Sequence, residues 1–418
     1  LEDLEHDFAE DKKYLQEILS FLSVTKNGLR EIDLFELLNT SRIKFNILFN
    51  SVLSEIENYS GRYKIGNIYF KDAITKRYLN SENSLDDICK RIVLKTIERG
   101  KTTDTLVELD ADETGYLLYK SNDDEFLYDF LTHLQSVVFL YSYDPVLFVK
   151  YWNRLKGKYN PEDVYTIENI EQLSSDLNHE KKGTYDFLNY YGFFEKLKEI
   201  KCYNGAKKIA EFLLVYLEDD VKISFDLETT KFWTNIEYID CCTELGEYNL
   251  AFDKIVYLNE KYNLVDTEDG YLNIIFYTQI AKIHIYEKNY EKAADAIYVI
   301  DNYAFEHEEE MNTSAKVFLD FVKIKILYNK LIGYYEYALE LSLFVVEQEL
   351  LADGSNNIKY LEASIELAEI QALNGNIDKS LEAFYNSFHL AEQILGEVKN
   401  PYLDDINKRM KDLNLAFD

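Results

Sequence analysis

The chain has 418 residues, and its hydrophobic content of 47% can fill a large core, which excludes a disordered protein. With only 3 Pro and 15 Gly it lacks the turn-forming residues of an all-β fold, so the composition favours long helices. The net charge of −31 opposes binding to nucleic acid or to an anionic membrane.

Charge is unevenly distributed along the chain. Residues 12–80 carry 11 Lys and Arg against 7 Asp and Glu, a net charge of +4, and the remaining residues have a net charge of −35. The chain begins with Leu1 instead of Met, which predicts a fragment of a longer protein. Free thiols, no signal peptide and no apolar run of about 18 residues together predict a cytoplasmic protein without a membrane span.

Residues 1–80 have the element order of a winged-helix domain. "KKYLQEILSFLSVTKNGLR" indicates a helix ending at Asn27-Gly28, "EIDLFELL" a second helix, and "RIKFNILFNSVLSEI" a third helix capped by Thr40 or Ser41. In "RYKIGNIYF" we expect two short extended pieces on either side of Gly66. Three helices and a small hairpin predict a winged helix, and the alternative is another small helical domain.

The rest of the chain is predicted to be helical in two parts. We expect residues 81–125 to form a linker with irregular helices and residues 126–418 to form a solenoid. The segment 122–165 has a helical pattern without the later repeat, so it predicts one or two irregular leading hairpins. Pro401 begins a segment that predicts a terminal capping helix.

A helical-hairpin motif recurs with spacings of 42, 42, 45 and 42 residues, which is typical of a solenoid. A short polar or glycine turn precedes the predicted start of each second helix. These starts are Ala206, Tyr248, Tyr290, Tyr335 and Ile377. Three residues further on, four of five side chains are small, as close helix packing requires: Ile209, Ala251, Ala293, Ala338 and Ser380.

This motif resembles the tetratricopeptide repeat over roughly residues 180–400. The family places small residues at two positions of each hairpin, which Ala281 with Ala293 match and Ala368 with Ser380 match loosely. The period is longer than the roughly 34 residues of that family. We therefore predict an all-α, TPR-like helical-hairpin solenoid preceded by a small winged-helix domain.

The head and the repeats together resemble the C-terminal region of bacterial STAND NTPases of the NACHT type. The matching residues in the head are Gly28-Leu29, Leu34, Leu37-Leu38, Ala73-Ile74 and Arg77-Tyr78-Leu79. The resemblance implies an antiviral-defence-like sensor whose repeats recognise a partner or phage protein and control an NTPase module upstream in the same polypeptide. Where the family often has a histidine facing the nucleotide, this chain has Asn67, a weak cofactor-binding candidate.

Motifs for catalysis are missing from the sequence. "RGKTTD" (Arg99–Asp104) lacks the upstream glycine and the preceding strand of a phosphate-binding loop. The six histidines are scattered, and the acidic runs Glu108–Glu113 and Glu306–Glu310 lack calcium-loop spacing and are predicted to be solvated loops. We therefore predict no enzyme, no cofactor and no metal site in this chain.

Two functions of different classes remain. The first is a non-catalytic sensor whose acidic, tyrosine-lined groove binds a protein or peptide. Its candidate partner-binding residues lie on predicted first helices: Tyr238, His284, Tyr328 and Gln371. The alternative is a helix-turn-helix transcription regulator with a peptide-binding repeat body. Its third helix would offer DNA only Arg42, Lys44 and little else, so nucleic acid is an improbable partner.

Overall fold

The computed structural model describes residues 1–80, 82–103, 108–176, 184–218, 226–265, 270–306, 315–355, 357–396 and 400–415. Contacts divide the chain into two compact units, Leu1–Tyr159 and Asn160–Asp418. Helices make up most of both units, which confirms the predicted all-α class.

Within its described residues, the first unit combines ten α-helices with one small sheet. The helices are α1 (Glu2–Asp7), α2 (Lys12–Val24), α3 (Glu31–Leu38), α4 (Arg42–Val52), α5 (Ile68–Tyr78), α6 (Glu82–Thr103), α7 (Glu108–Lys120), α8 (Asp124–Thr132), α9 (Leu134–Tyr143) and α10 (Pro145–Leu155). The strands are β1 (Leu29–Arg30), β2 (Ile56–Tyr59) and β3 (Arg62–Ile65), antiparallel in the order β1-β3-β2.

Helix α2 forms the centre of this unit, because its apolar residues Leu15, Ile18 and Leu19 are fully buried. The chain then turns at Gly28, whose φ of +81° favours glycine. A Cβ at Gly28 would lie 2.7 Å from the Tyr63 carbonyl oxygen, so only glycine lets β1 approach β3 this closely.

The small hairpin differs from the prediction. Its turn lies at Ser60-Gly61, with φ values of +51° and +80°, and not at Gly66. Gly66 follows β3, and Asn67 begins a helix in place of the second predicted extended piece. Three helices followed by a hairpin are present in the predicted order. Assignment to the winged-helix class stays a prediction.

The predicted limits 1–80, 81–125 and 126–418 also stay predictions. Helices α8 to α10 belong to the compact unit Leu1–Tyr159, although the sequence placed them in or beside the solenoid.

The second unit is a series of helical hairpins. After α11 (Ile167–Asp176) come five hairpins and a last helix: α12 (Thr184–Glu199) with α13 (Tyr203–Tyr216), α14 (Leu227–Glu244) with α15 (Tyr248–Tyr262), α16 (Gly270–Tyr286) with α17 (Tyr290–Glu306), α18 (Ala315–Ile332) with α19 (Tyr335–Asp353), α20 (Ile358–Leu373) with α21 (Ile377–Leu395), and α22 (Pro401–Asp412).

The hairpins confirm the predicted TPR-like solenoid. Second helices begin at Tyr248, Tyr290, Tyr335 and Ile377 as predicted, and the first begins at Tyr203, three residues before the predicted Ala206. The predicted packing positions are buried, with Ala251, Ala293, Ala338 and Ser380 all at 0% exposure. Ser380 donates its hydroxyl to the Ala368 carbonyl at 2.7 Å, which satisfies the polar group at this close contact.

Candidate partner-binding surfaces

Two of the predicted partner-binding residues are buried between helices. Tyr238 on α14 is 8% exposed, and the Lys254 ammonium lies 5.5 Å from its ring centre. His284 on α16 is 9% exposed, and its ring centre lies 4.9 Å from the ring centre of Phe252 on α15. Burial lowers the pKa of His284, although its contact with Glu287 at 3.3 Å opposes that shift. Little of either side chain is open to a partner.

The other two predicted residues are partly buried. Burial raises the pKa of Tyr328 on α18, and nearby Tyr334 and Asp295 add to the increase. The side-chain amide oxygen (Oε1) of Gln371 on α20 is buried without a hydrogen bond among the described residues. The four predicted residues are not brought together into one site by any contact within the described parts of the chain, and their role in partner binding stays a prediction.

Asn67 is the N-cap of α5. Its side-chain oxygen accepts hydrogen bonds from the backbone N–H groups of Tyr69 at 2.9 Å and Phe70 at 3.2 Å. This accounts for an asparagine at this position, because capping satisfies two helix N–H groups that have no partner within the helix. Cofactor binding by Asn67 stays a prediction.

A ladder of ion pairs joins the first helices of three successive hairpins, which are α12, α14 and α16. Lys198 on α12 contacts Glu237 and Asp240 on α14, at 3.2 Å for Asp240. Lys282 on α16 reaches the same Asp240 at 2.5 Å and Glu244 at 2.7 Å. One carboxylate is thus held between cations from the helices before and after it.

A second ladder joins the first helices of the last two hairpins, α18 and α20, to the terminal helix α22. Lys330 on α18 contacts Glu366 at 2.5 Å and Glu369 at 3.3 Å on α20. Arg409 on α22 contacts the same two carboxylates, at 2.8 Å for Glu366, and Asp405 of its own helix at 2.9 Å. We call the two ladders together the first-helix ladders.

The ladders keep Asp240 and Glu366 ionised. Burial raises the pKa of Asp240, but Lys282 and Lys198 outweigh this effect and hold that pKa at about 2. Burial likewise opposes ionisation of Glu366, yet Lys330 and Arg409 leave its pKa below the usual value. Asp240 and Glu366 are therefore each neutralised by cations of neighbouring helices.

The second helices have the opposite character. Several exposed carboxylates there have no hydrogen bond or ion pair within the part of the chain that the structure describes: Asp253, Glu260, Glu291, Asp295, Glu336, Glu340, Glu347, Asp378 and Glu382. Twelve exposed large apolar side chains of the described residues lie on these five helices, against four on the five first helices. We call this surface the second-helix face.

The second-helix face is most apolar on α19. Large side chains exposed there are Tyr337 at 42%, Leu343 at 51%, Phe344 at 38%, Leu350 at 42% and Leu351 at 72%. A cavity of about 500 Å³, which we call the notch, lies at the start of this helix. Its walls are Gly333, Tyr334, Tyr335, Glu336, Tyr337, Glu340 and Asn374.

The cations predicted for DNA binding are already paired. The Arg42 guanidinium contacts Glu31 at 2.6 Å, and the Lys44 ammonium contacts Asp11 at 2.8 Å. Contact with phosphates would have to compete with these carboxylates. The helix-turn-helix alternative therefore gains no support from α4.

The described cysteines and acidic side chains do not form an evident catalytic or metal site. Burial raises the pKa of the Cys89 and Cys241 thiols to about 12, which makes both poor nucleophiles. Among the described residues, no His, Cys, Asp and Glu side chains come together in a group of three or more able to hold a metal ion. No helix in the described ranges has the length and apolar character needed to cross a membrane.

Part of the predicted acidic and basic motifs lies outside the described residues. These are Asp104 of the "RGKTTD" motif and residues 307–310 of the second acidic run. The first acidic run was predicted to be a solvated loop, which is wrong, because it begins α7 and its Asp112 and Glu113 are buried. Glu113 accepts hydrogen bonds from the backbone N–H groups of Lys26 at 3.0 Å and Asn27 at 2.6 Å, so this run anchors the turn before Gly28.

No protein-family model and no curated protein matches the chain. Among solved structures, the chain is similar to yeast Tom70, with a TM-score of 0.37 and 12% sequence identity over 98% of this chain and 73% of that one. No conclusion about function follows from a similarity at this level. The assignment as a TPR-like solenoid rests on the hairpins themselves.

Proposed function

We propose that the chain is a non-catalytic, protein-binding scaffold. The observation that carries this proposal is the second-helix face, which exposes large apolar side chains together with carboxylates that have no partner among the described residues. Water solvates carboxylates well but gains nothing from exposed Tyr, Leu and Phe, so contiguous exposure of this kind marks surfaces that contact proteins. Repeated hairpins provide such a surface on a stiff frame.

Panning a displayed random-peptide library against the immobilised full chain tests the proposal. We expect enriched peptides that bind the chain in solution with 1:1 stoichiometry and a Kd below about 100 μM, the range of a modest but specific contact. A known TPR-containing protein panned in parallel is the positive control. Failure to enrich any binder while the control succeeds would contradict the proposed function.

The resemblance of residues 12–80 supports a more specific function. We propose that the solenoid is the sensor of a STAND NTPase, where it recognises a partner or phage protein and relays binding through the head to an NTPase module of the same polypeptide. The relay requires that module, since the chain itself lacks a phosphate-binding loop motif.

The gene that encodes the chain tests this relay directly. We expect a Walker phosphate-binding motif in the same reading frame upstream of Leu1, and ATP hydrolysis by the full-length product that increases when a sensed protein is added. A reading frame without an NTPase module would contradict the relay. It would leave the protein-binding proposal intact.

A further inference from the structure

We propose that the exposed face of α19, together with the notch at its start, binds an amphipathic segment of a partner protein that is rich in Lys or Arg. This proposal rests on the proposed function, because it names the surface and the chemical class of the partner. It also moves recognition from the groove predicted by the sequence to the second-helix face.

The charge of α19 selects a basic partner. The helix contains no Lys, Arg or His, and Glu336, Glu340 and Glu347 are exposed without a hydrogen bond or ion pair among the described residues. Spacings of four and seven residues place the three carboxylates on one side of a helix. Like charges so placed repel one another, and an incoming cation would relieve this repulsion.

The apolar residues of α19 select an amphipathic partner. Leu343, Phe344 and Leu351 are exposed three or four residues from a carboxylate of the same helix, and a partner helix could bury them with its own apolar stripe. A purely polar polycation would leave them in water. The same segment must therefore supply both apolar side chains and cations.

The notch suits the end of a Lys or Arg side chain. Its volume of about 500 Å³ holds several side-chain atoms, and its lining residues include two tyrosines, Tyr334 and Tyr337, and two acids, Glu336 and Glu340. Aromatic faces attract cations, and the pairing with carboxylates adds to this attraction. The chain already uses such a contact, because the buried Lys325 ammonium lies 5.4 Å from the Tyr337 ring centre.

Two alternatives fit less well, namely α17 as the binding surface and a second copy of this chain as the partner. On α17 the exposed side chains include Glu291, Lys292, Asp295 and Asn302, with Tyr298 as the large apolar one. A second copy of this chain would place acidic α19 faces against each other, and the net charge of −31 opposes that association. A basic segment bound to α19 would contact several apolar side chains there and would be attracted by the acidic chain.

Binding of a synthetic amphipathic peptide made of Lys, Leu and Trp tests the proposal, with the full chain in solution. The triple variant Glu336→Gln, Glu340→Gln and Glu347→Gln is compared with a control triple on α15 and α17: Asp253→Asn, Glu260→Gln and Asp295→Asn. Both triples change the net charge equally. A second pair, Tyr334→Ala on the notch and Tyr298→Ala on α17, compares two tyrosines that are 66% and 67% exposed.

We expect the α19 triple to weaken peptide binding about 10-fold, since three surface charge pairs together contribute about 1.4 kcal/mol. The control triple should change the Kd less than about 2-fold, and Tyr334→Ala should weaken binding more than Tyr298→Ala. Equal weakening by both triples would reduce the effect to general attraction by an acidic protein and overturn the proposal. The proposal would also be overturned if sedimentation showed that the chain forms a dimer and that the α19 triple dissociates this dimer.

The peptides enriched by panning separate this inference from the proposed function. Basic, apolar sequences whose binding the α19 triple abolishes would support both. Enriched peptides that bind the α19 triple as tightly as the wild type would overturn the α19 site and leave a protein-binding scaffold. Absence of any binder would overturn the proposed function itself.

Discussion

The first-helix ladders and the second-helix face both contain Asp and Glu side chains, but these side chains are ion-paired in the ladders and exposed to solvent on the face. On the first helices, Asp240 and Glu366 each contact two cations from neighbouring helices. On the second helices, Glu336 and Glu340 have no such contact within the described chain. Carboxylates of the first-helix ladders therefore join neighbouring hairpins, whereas these two carboxylates of α19 are exposed to solvent.

Net charge alone therefore does not locate a binding surface, because paired and unpaired carboxylates contribute to it equally. The body of the chain is strongly acidic, and that suggests an acidic groove. The ladder acids pair with cations of neighbouring helices, and several acids of the second helices have no such partner among the described residues.

Removing the shared carboxylate of the first ladder should have the largest effect. Asp240→Ala leaves Lys198 and Lys282 close together without the charge between them, so we expect a loss of about 3 kcal/mol in the free energy of unfolding. Chemical denaturation followed by circular dichroism measures it. The control Asp253→Ala, at an exposed site on α15, should change stability by less than about 0.5 kcal/mol. Equal effects of both substitutions would remove the distinction between the two faces.

The ladder should also give the solenoid a defined acid sensitivity. The folded-state pKa of Asp240, about 2, lies below its ordinary value of 3.8. Its contribution is therefore fully present above about pH 4 and is lost as the pH falls towards 2. The stability difference between wild type and Asp240→Asn should shrink by about 2 kcal/mol between pH 6 and pH 2.5. A difference that does not depend on pH would contradict the ionised pair.

Breaking the second ladder should loosen the terminal helix. Arg409→Met keeps most of the apolar stem but removes the contacts with Glu366, Glu369 and Asp405, so we expect a local cost of about 1–2 kcal/mol. Hydrogen exchange of the α22 amides should accelerate about 5- to 30-fold, the equivalent of that cost. Lys408→Met, an exposed neighbour on the same helix, is the control and should leave exchange unchanged.

The smallest effect should have the opposite sign. Glu336 and Glu340 are one helical turn apart on α19, and their like charges repel by a few tenths of a kcal/mol. Glu340→Gln should therefore stabilise the chain by about 0.3 kcal/mol. Thermal denaturation compared with Glu382→Gln on α21 measures the difference. Destabilisation by Glu340→Gln would indicate a structural partner for this carboxylate.

Much of the fold followed from the sequence because the repeat is local. Four second helices begin at the predicted residues Tyr248, Tyr290, Tyr335 and Ile377, since a turn and a small residue recur in fixed register. The first hairpin departs because Gly205 lies inside α13 instead of in a turn. A Cβ there would come 3.0 Å from the Glu162 side chain, so this glycine allows close approach of another segment.

The candidate surfaces were harder to predict from the sequence. Lys198, Asp240 and Lys282 are spaced 42 residues apart, so the period of the repeat contained a signal for the first ladder. Lys330 and Glu366 are 36 residues apart and Glu366 and Arg409 are 43 apart, so the second ladder does not follow the period of the repeat. The notch depends on residues from two successive turns, Tyr334 and Asn374, and only their three-dimensional placement makes a cavity of them.

A double-mutant cycle on Asp240 and Lys282 tests most directly whether charges on the first helices hold the hairpins together. Unfolding free energies of the wild type, Asp240→Asn, Lys282→Met and the double variant give the coupling between the two side chains. A coupling of at least about 1.5 kcal/mol is expected for a pair with little solvent access. A coupling below about 0.3 kcal/mol, the value of an ordinary exposed pair, would contradict the account.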